Sequence, residues 1–220
     1  MNGSKLDWFA AKGSMTPQDV TPWQTFSGKG MRFELEAYDW NGTAHVSHLS
    51  MRGLFGLMKM DTLICTPYAK DMPLFSYDLI SACSGHAVLL MDTYDTLVGS
   101  VDLSTMTAVK EQYGDLKDKT MRPAWYDRLK LPPTVCKTGN GARLEVMAEQ
   151  MLKAYIDLFS MARDIDRAVK NERNSVYVEG LINDGPTYRA VSKMIGAEDA
   201  RTLFRQCLFG TCCTAETKQQ

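Results

Sequence analysis

The feature that most constrains the fold is a series of six predicted β-strands between residues 31 and 103, joined by links of only a few residues. Asn41-Gly42 is typical of a tight hairpin turn, and Pro67 and Ser84-Gly85 mark later turns. Parallel neighbours need a crossover of a dozen or more residues, for which there is no room. The sheet is therefore predicted to be mainly antiparallel. The predicted strands cover residues 32–37, 44–51, 59–66, 73–80, 86–91 and 96–103.

Helices are predicted on both sides of this sheet. Residues 74–80 and 87–91 are apolar at neighbouring positions, which is typical of strands covered on both faces. Residues 142–171 lack Gly and Pro, and apolar residues recur there every three or four positions. This predicts one helix of roughly 45 Å. Two more helices are predicted for 186–195 and 197–208, and mostly loop for 104–141. The expected fold class is an α/β three-layer α/β/α sandwich around a mainly antiparallel sheet.

The 220 residues fit one domain. Residues 1–30 are predicted to form an N-terminal arm, residues 31–210 the single domain, and residues 211–220 a disordered tail. The composition, 45% hydrophobic and 23% charged, is that of an ordinary globular protein and argues against a disordered or fibrous chain.

Several classes of protein are disfavoured by the sequence. A net charge of −1 argues against a dedicated nucleic-acid binder. Of the six cysteines, four are scattered, Cys212 and Cys213 are adjacent, and no two have CxxC spacing. This pattern favours a reducing compartment and gives no zinc or iron–sulfur site. No apolar run has the length of a membrane helix or a signal peptide, so we expect a soluble, cytoplasmic protein. Nucleotide-binding and metallohydrolase motifs are absent, which predicts no bound nucleotide and no metal.

Three ionisable residues are candidates for chemistry. Asp78 lies inside an apolar strand, and burial would raise the pKa of its carboxyl so that it can act as a general acid. The alternative is a structural carboxylate bonded to an arginine or a backbone amide. His48 shares strand parity with Val46 and is either a core residue or part of a proton relay. Asp184 precedes a predicted helix, where it either caps the helix or takes part in catalysis.

Two groups of motifs resemble the ferredoxin-dependent bilin reductases. The segment Met72-Pro73-Leu74-Phe75-Ser76-Tyr77-Asp78-Leu79-Ile80 is similar to that family's Leu-Pro-(apolar)-Phe-Gly-x-Asp-(apolar)-(apolar). Asn183-Asp184-Gly185-Pro186, Met194–Ala200 and Leu208-Phe209 resemble its C-terminal motifs, and Arg122-Pro123-Ala124-Trp125 resembles a Leu-Pro-x-Trp stretch between them. The pieces occur in the family's order over roughly residues 31–210, and the family's fold is the sandwich expected above.

The resemblance implies a reaction. Reduced ferredoxin or flavodoxin would supply single electrons to a linear tetrapyrrole such as biliverdin, and no cofactor would be bound. Asp78 matches the family's central catalytic Asp, and Asp184 matches a second proton donor of some members. His48 matches a family His, whereas Ser50 and Thr62 stand where members carry Glu and His or Asn. We expect His48, Ser50 and Thr62 to contact the substrate, and strand alternation to turn Asp61 to the opposite face.

The expected partners are the tetrapyrrole and the electron donor, with no nucleic acid and no membrane, and the chain is expected to be a monomer. Cations that could hold the tetrapyrrole propionates or an acidic donor are Arg122, Arg128, Lys130, Lys137 and Arg143. Three other functions stay open: a reductase of an opened chlorophyll catabolite, a tetrapyrrole carrier or sensor without turnover, and an unrelated α/β protein.

Overall fold

The computed structural model describes residues 5–82 and 84–211. Within them, nine strands form one sheet in which every pairing is antiparallel. The order across the sheet is β1-β3-β4-β5-β6-β7-β9-β8, and β2 also pairs with β3. The strands are β1 (Met15–Pro17), β2 (Thr25–Gly28), β3 (Met31–Trp40), β4 (Ala44–Gly53), β5 (Met58–Pro67), β6 (Leu74–Ala82), β7 (His86–Tyr94), β8 (Lys117–Asp118) and β9 (Val135–Asn140).

The antiparallel sheet and five of the six predicted strands are confirmed, but the prediction of a strand at 96–103 is wrong. The backbone amides of Val98 and Gly99 donate 2.9 Å hydrogen bonds to the carboxylate of Asp71 instead of to a neighbouring strand. The place beside β7 is taken by β9, which lies in the stretch predicted to be loop.

The helices are α1 (Leu6–Ala10), α2 (Ser104–Gln112), α3 (Gly141–Met161), α4 (Arg167–Asp184), α5 (Pro186–Ile195) and α6 (Ala197–Thr202), with a π-helical segment at Leu203–Leu208. The single long helix predicted for 142–171 is wrong, because the chain breaks between α3 and α4. There Arg163 forms an ion pair with the fully buried Asp71, and Asp166 caps α4 by accepting from the amides of Ala168 and Val169. The helix predicted for 186–195 is confirmed.

Two separate hydrophobic clusters flank the central strands. Leu63 and Cys65 of β5 belong to the first cluster with α1 and α3, whereas the intervening Ile64 belongs to the second with α4, α5 and α6. Because side chains alternate along a strand, the clusters receive opposite faces of β5. The predicted arm supplies Phe9, which is fully buried in the first cluster, and the two short strands β1 and β2.

Across residues 5–82 and 84–211, no helix is both long and apolar enough to cross a bilayer. Apart from Thr211, the predicted C-terminal tail lies outside the described residues.

Candidate active site

Asp78 lies on a face of the sheet that the helices cover only in part. Along β6, Phe75, Tyr77 and Leu79 are buried, whereas the alternate side chains of Asp78 and Ile80 remain half-buried. The same alternation occurs in β7. One face of these strands is therefore closed by packing, and the other is accessible around the Asp78 carboxyl group.

The accessible side is here called the Asp78 face. The strand register places its members side by side across β4, β5, β6, β7 and β9. Most of them are apolar, which suits contact with a flat, apolar ligand. The half-buried members are Leu49, Met60, Ser76, Asp78, Ile80, Val88, Leu90, Cys136 and Thr138.

Thr62 and Asp78 are directly paired in register between β5 and β6, and the Thr62 hydroxyl donates a hydrogen bond to the Asp78 carboxylate. Although Asp78 keeps some solvent exposure, protein atoms surround its carboxyl closely. This burial raises the pKa of Asp78 to about 6; the hydrogen bond from Thr62 opposes the shift, and the charges of Asp92 and Asp61 add to it. Asp78 is thus partly protonated near neutral pH, as a general acid requires.

A second carboxyl group, Asp92, lies diagonally across from Asp78, because Ser76 pairs with Asp92 and Asp78 with Leu90. Such diagonal neighbours are about 7–8 Å apart. The Lys130 ammonium lies 3.1 Å from one Asp92 oxygen, and the Tyr94 hydroxyl donates a 2.9 Å hydrogen bond to the other. Burial raises the pKa of Asp92, and Lys130 opposes that shift.

His48 and Ser50 lie on the opposite face of the sheet from Asp78. Ser50 pairs with Asp61, whereas Asp78 pairs with the next residue, Thr62. His48 Nε2 lies 2.5 Å from Asp61 Oδ1, and Lys5 Nζ lies 2.5 Å from Asp61 Oδ2. Burial raises the Asp61 pKa, but His48 and Lys5 outweigh that effect and lower it to about 2. The structure thus brings Thr62 to Asp78 and keeps His48 and Ser50 with Asp61.

Asp184 is the last residue of α4, and its carboxylate forms a 2.7 Å ion pair with Arg189. Its side chain is 69% exposed. The same helix contributes Tyr177 and Leu181 to the second hydrophobic cluster, on the side of the sheet that carries Asp78. Asp184 therefore lies at the end of the covering helix, directed to solvent.

Among the cations considered for the propionates, Lys130 lies beside Asp92 on the Asp78 face. Lys137 is buried, donates to the Leu116 carbonyl and has the strand parity of the opposite face. Arg143 pairs with the exposed Asp115. Asp78 itself is half-buried, so its carboxyl is reached across the half-buried face.

Two contacts that sequence reasoning missed hold α4 over the sheet. The fully buried Lys170 donates 2.6 Å hydrogen bonds to the carbonyls of Met72 and Thr96. Burial lowers the Lys170 pKa to about 8. Farther along α4, the Trp125 ring lies where a side chain at Gly180 would stand, with ring atoms 2.2 Å from a Cβ built there. A lysine in a polar helical sequence gives no signal of burial, whereas a glycine inside a helix is a recognisable sign of close approach.

No family model and no curated protein matches the sequence. Comparison with solved structures gives a match to phytochromobilin synthase from tomato, crystallised with biliverdin, with a TM-score of 0.75 and 12% sequence identity. The match covers 98% of this chain and 83% of the tomato protein. The chain has the bilin reductase fold.

The match confirms the fold family that the motif resemblance indicated, a mixed α/β fold with a large antiparallel sheet. At 12% identity the match establishes the fold alone, so the assignment of activity depends on the site itself. In this fold the described chain presents a partly open, apolar sheet face with the Asp78 carboxyl near its centre.

Proposed function

We propose that the protein reduces a double bond of a linear tetrapyrrole such as biliverdin, with electrons from ferredoxin or flavodoxin and protons from active-site carboxyl groups. The observation that carries the proposal is Asp78: within the bilin reductase fold, its carboxyl lies on an accessible apolar face with a pKa near 6. The fold supplies the surface for a flat pigment, and the carboxyl supplies a proton where the pigment would lie.

The net reaction consumes two electrons and two protons. Two reduced donor molecules each lose one electron, and one double bond of the pigment becomes a single bond with two added hydrogens. Each electron raises the basicity of the pigment, so a positioned acid can protonate it. Asp78 gives its proton, becomes a carboxylate and is reprotonated from water. Its position relative to the pigment then selects which double bond is lost.

Thr62 is the proposed substrate-side neighbour of Asp78. Its hydroxyl already bonds the carboxylate and can bond a pyrrole or lactam group in its place. His48 and Ser50 lie across the sheet, so a pigment on the Asp78 face cannot touch them directly. His48 and Ser50 are therefore proposed to act on the substrate site only indirectly. The link is their neighbour Asp61, whose charge raises the pKa of Asp78.

Asp184 is proposed as a second proton donor from the helical side. Supporting this, it stands at the end of α4, which packs over the Asp78 side of the sheet. To act, its carboxylate would have to leave the ion pair with Arg189 and accept a proton.

We also propose the three-layer packing and the single domain over 31–210, which the two clusters on opposite faces of β5 support.

A tetrapyrrole carrier or sensor is the second candidate. One observation favours it: within residues 5–82 and 84–211, the side-chain hydrogen bond to the Asp78 carboxyl comes from the Thr62 hydroxyl, which does not titrate. A protein that bound the pigment without reducing it would not need a titrating neighbour to return a proton to Asp78.

An anaerobic assay tests the proposal and separates the two candidates. Biliverdin should form a coloured complex with the purified chain, and a reduced ferredoxin system should then convert it to a product with one double bond fewer, identified by mass and absorbance. A complex that stays unreduced would leave the carrier, and the absence of any complex would exclude both. An opened chlorophyll catabolite supplied in place of biliverdin tests the related reductase activity.

A further inference from the structure

The hairpin turn between β4 and β5 exposes two large apolar side chains. Phe55 is completely exposed and Leu57 is 53% exposed. Phe55 also adopts φ +55°, in the left-handed region that bulky residues rarely enter. The Phe55 side chain therefore does not contribute to the packing of the described chain. An exposed aromatic residue held in this conformation is typical of a contact made with another molecule.

Cations surround this turn. Arg32, Arg52 and Lys59 pair in register across β3, β4 and β5, and Lys29 lies in the adjoining β2–β3 turn. All four are exposed. Like charges directly opposite each other destabilise a sheet, so this row is suited to an anionic partner. We call these four cations with Phe55 and Leu57 the basic tip.

Acidic residues do not neutralise most of the basic tip. Arg32 bonds Glu34 of its own strand, 3.1 Å away, whereas no ion pair joins Lys29, Arg52 or Lys59 to a carboxylate of the described chain. The whole protein has a net charge of −1, so this excess of positive charge is local. A local basic patch steers an acidic molecule to one place and one orientation.

The surface between the turns is shaped for contact. A shallow groove of about 480 Å³ is lined by Arg32, Arg52 and Phe55 together with glycines of both turns. A Cβ built at Gly30 or Gly56 meets nothing within 4 Å, so the surface there is backbone open to solvent. A partner can therefore approach the main chain closely while its carboxylates reach the arginines.

We propose that the basic tip is the docking surface for an acidic electron-donor protein. This inference rests on the proposed function and adds the place where the donor binds. Lys59 is three residues from Thr62 along β5, which corresponds to about 10 Å of strand. Arg32, Arg52 and Lys59 have the strand parity of Asp61, so their side chains lie on the face opposite Asp78. A donor seated on the tip would thus approach from that opposite face, at the end of the strands. Its redox centre would then lie near the pigment across a single sheet, without entering the space that the pigment occupies.

Charge reversal at the tip is the first test. Arg52→Glu and Lys59→Glu are compared with Lys153→Glu, which makes the same charge change on the exposed side of α3. With reduced plant-type [2Fe–2S] ferredoxin at low ionic strength, each tip variant should raise the KM for ferredoxin about tenfold. Added salt should weaken the binding of ferredoxin to the wild type and reduce the difference in KM between the wild type and the tip variants. Lys153→Glu should behave as wild type.

The apolar part of the tip is tested with Phe55→Asn, for which Val146→Asn on α3 is the control. Asn adopts the left-handed conformation readily, so Phe55→Asn should melt at the wild-type temperature or higher while its KM for ferredoxin rises. A side chain with a purely structural role would give the opposite pattern, a lower melting temperature with an unchanged KM.

Two further measurements separate this inference from the proposed function. Photoreduced 5-deazariboflavin, a small neutral donor, should reduce bound biliverdin equally in wild type and tip variants. Calorimetry with oxidised ferredoxin measures docking without turnover. Ferredoxin binding that Arg52→Glu weakens would support the docking surface even if no pigment were reduced. Equal ferredoxin binding by wild type and all three tip variants would overturn it, as would retention on phosphatidylserine vesicles by a chain that does not bind ferredoxin.

Discussion

The Thr62 hydroxyl donates its hydrogen bond to Asp78 directly across the β5–β6 pair, within the row of residues that also contains Leu49 and Leu90. This bond stabilises the ionised carboxylate, whereas burial and the neighbouring charges of Asp92 and Asp61 favour the protonated acid. The proton affinity of Asp78 is therefore set by a balance whose members can be changed one at a time.

Thr62→Val should raise the pKa of Asp78. Valine has nearly the shape of threonine but cannot donate to the carboxylate, and a hydrogen bond of about 1 kcal/mol corresponds to about 0.7 of a pH unit. In wild type, kcat/KM for biliverdin should fall above pH about 6 as Asp78 loses its proton. In the variant, this fall in kcat/KM should occur at higher pH. A fall at lower or unchanged pH would show that the Thr62 hydrogen bond does not lower the pKa of Asp78.

Asp92→Asn should shift the fall in kcat/KM to lower pH. Removing this negative charge stabilises the ionised form of Asp78, and it leaves the Lys130 ammonium with one carboxylate neighbour, Asp127, 3.1 Å away. Both effects lower the pKa of Asp78. The pH profile of kcat/KM measures the shift, and Asp127→Asn serves as the control because it removes a more distant, exposed carboxylate. Equal shifts in the two variants would mean that proximity to Asp78 is not the cause.

Asp78→Asn should abolish turnover and stabilise the fold. Loss of a general acid typically costs 10²–10⁴-fold in rate, while the isosteric amide should leave biliverdin bound. Asp78 is protonated in both folded and unfolded chains below pH about 4, and the fold loses stability as pH rises through the folded pKa near 6. At pH 8 the variant should therefore be about 1–3 kcal/mol more stable to urea than wild type, and of similar stability at pH 4. Full activity would remove Asp78 from the mechanism.

Much of the sheet was predictable from the sequence, because short links and alternating side chains are local signals. Asp78 was predictable for the same reason, since an acidic residue inside an apolar strand stands out. Strand alternation also predicted correctly that Asp61 turns away from Asp78. Alternation along β4 places His48 and Ser50 on one face of the sheet. Only the register between β4 and β5 shows that this face is the one opposite Asp78.

Long-range contacts explain what the sequence did not predict. The stretch 142–171 has an unbroken helical pattern, yet the helix ends at Met161 because Asp71, about ninety positions earlier in the chain, binds Arg163 and the amides of Val98 and Gly99. The partly open Asp78 face was also not predictable. Apolar residues at both parities suggest two covered faces, and only the packing shows that one face is incompletely covered.

Lys170→Met should destabilise the protein strongly, although it removes a charge from an apolar environment. The Lys170 ammonium is the donor that reaches the carbonyls of Met72 and Thr96 from α4, and it also lies 3.1 Å from the Thr96 hydroxyl. Methionine fills the space but leaves buried acceptors without this donor, which we expect to lower the free energy of unfolding by about 2–4 kcal/mol.

Chemical denaturation at pH 7 measures this effect, with Lys153→Met as the control, because that exposed position on α3 should change stability by no more than about 0.5 kcal/mol. Since Lys170 holds α4 against the segments before β6 and after β7, biliverdin affinity should fall together with stability. A variant as stable as wild type would show that packing of Tyr177 and Leu181 alone keeps α4 in place over the Asp78 side of the sheet.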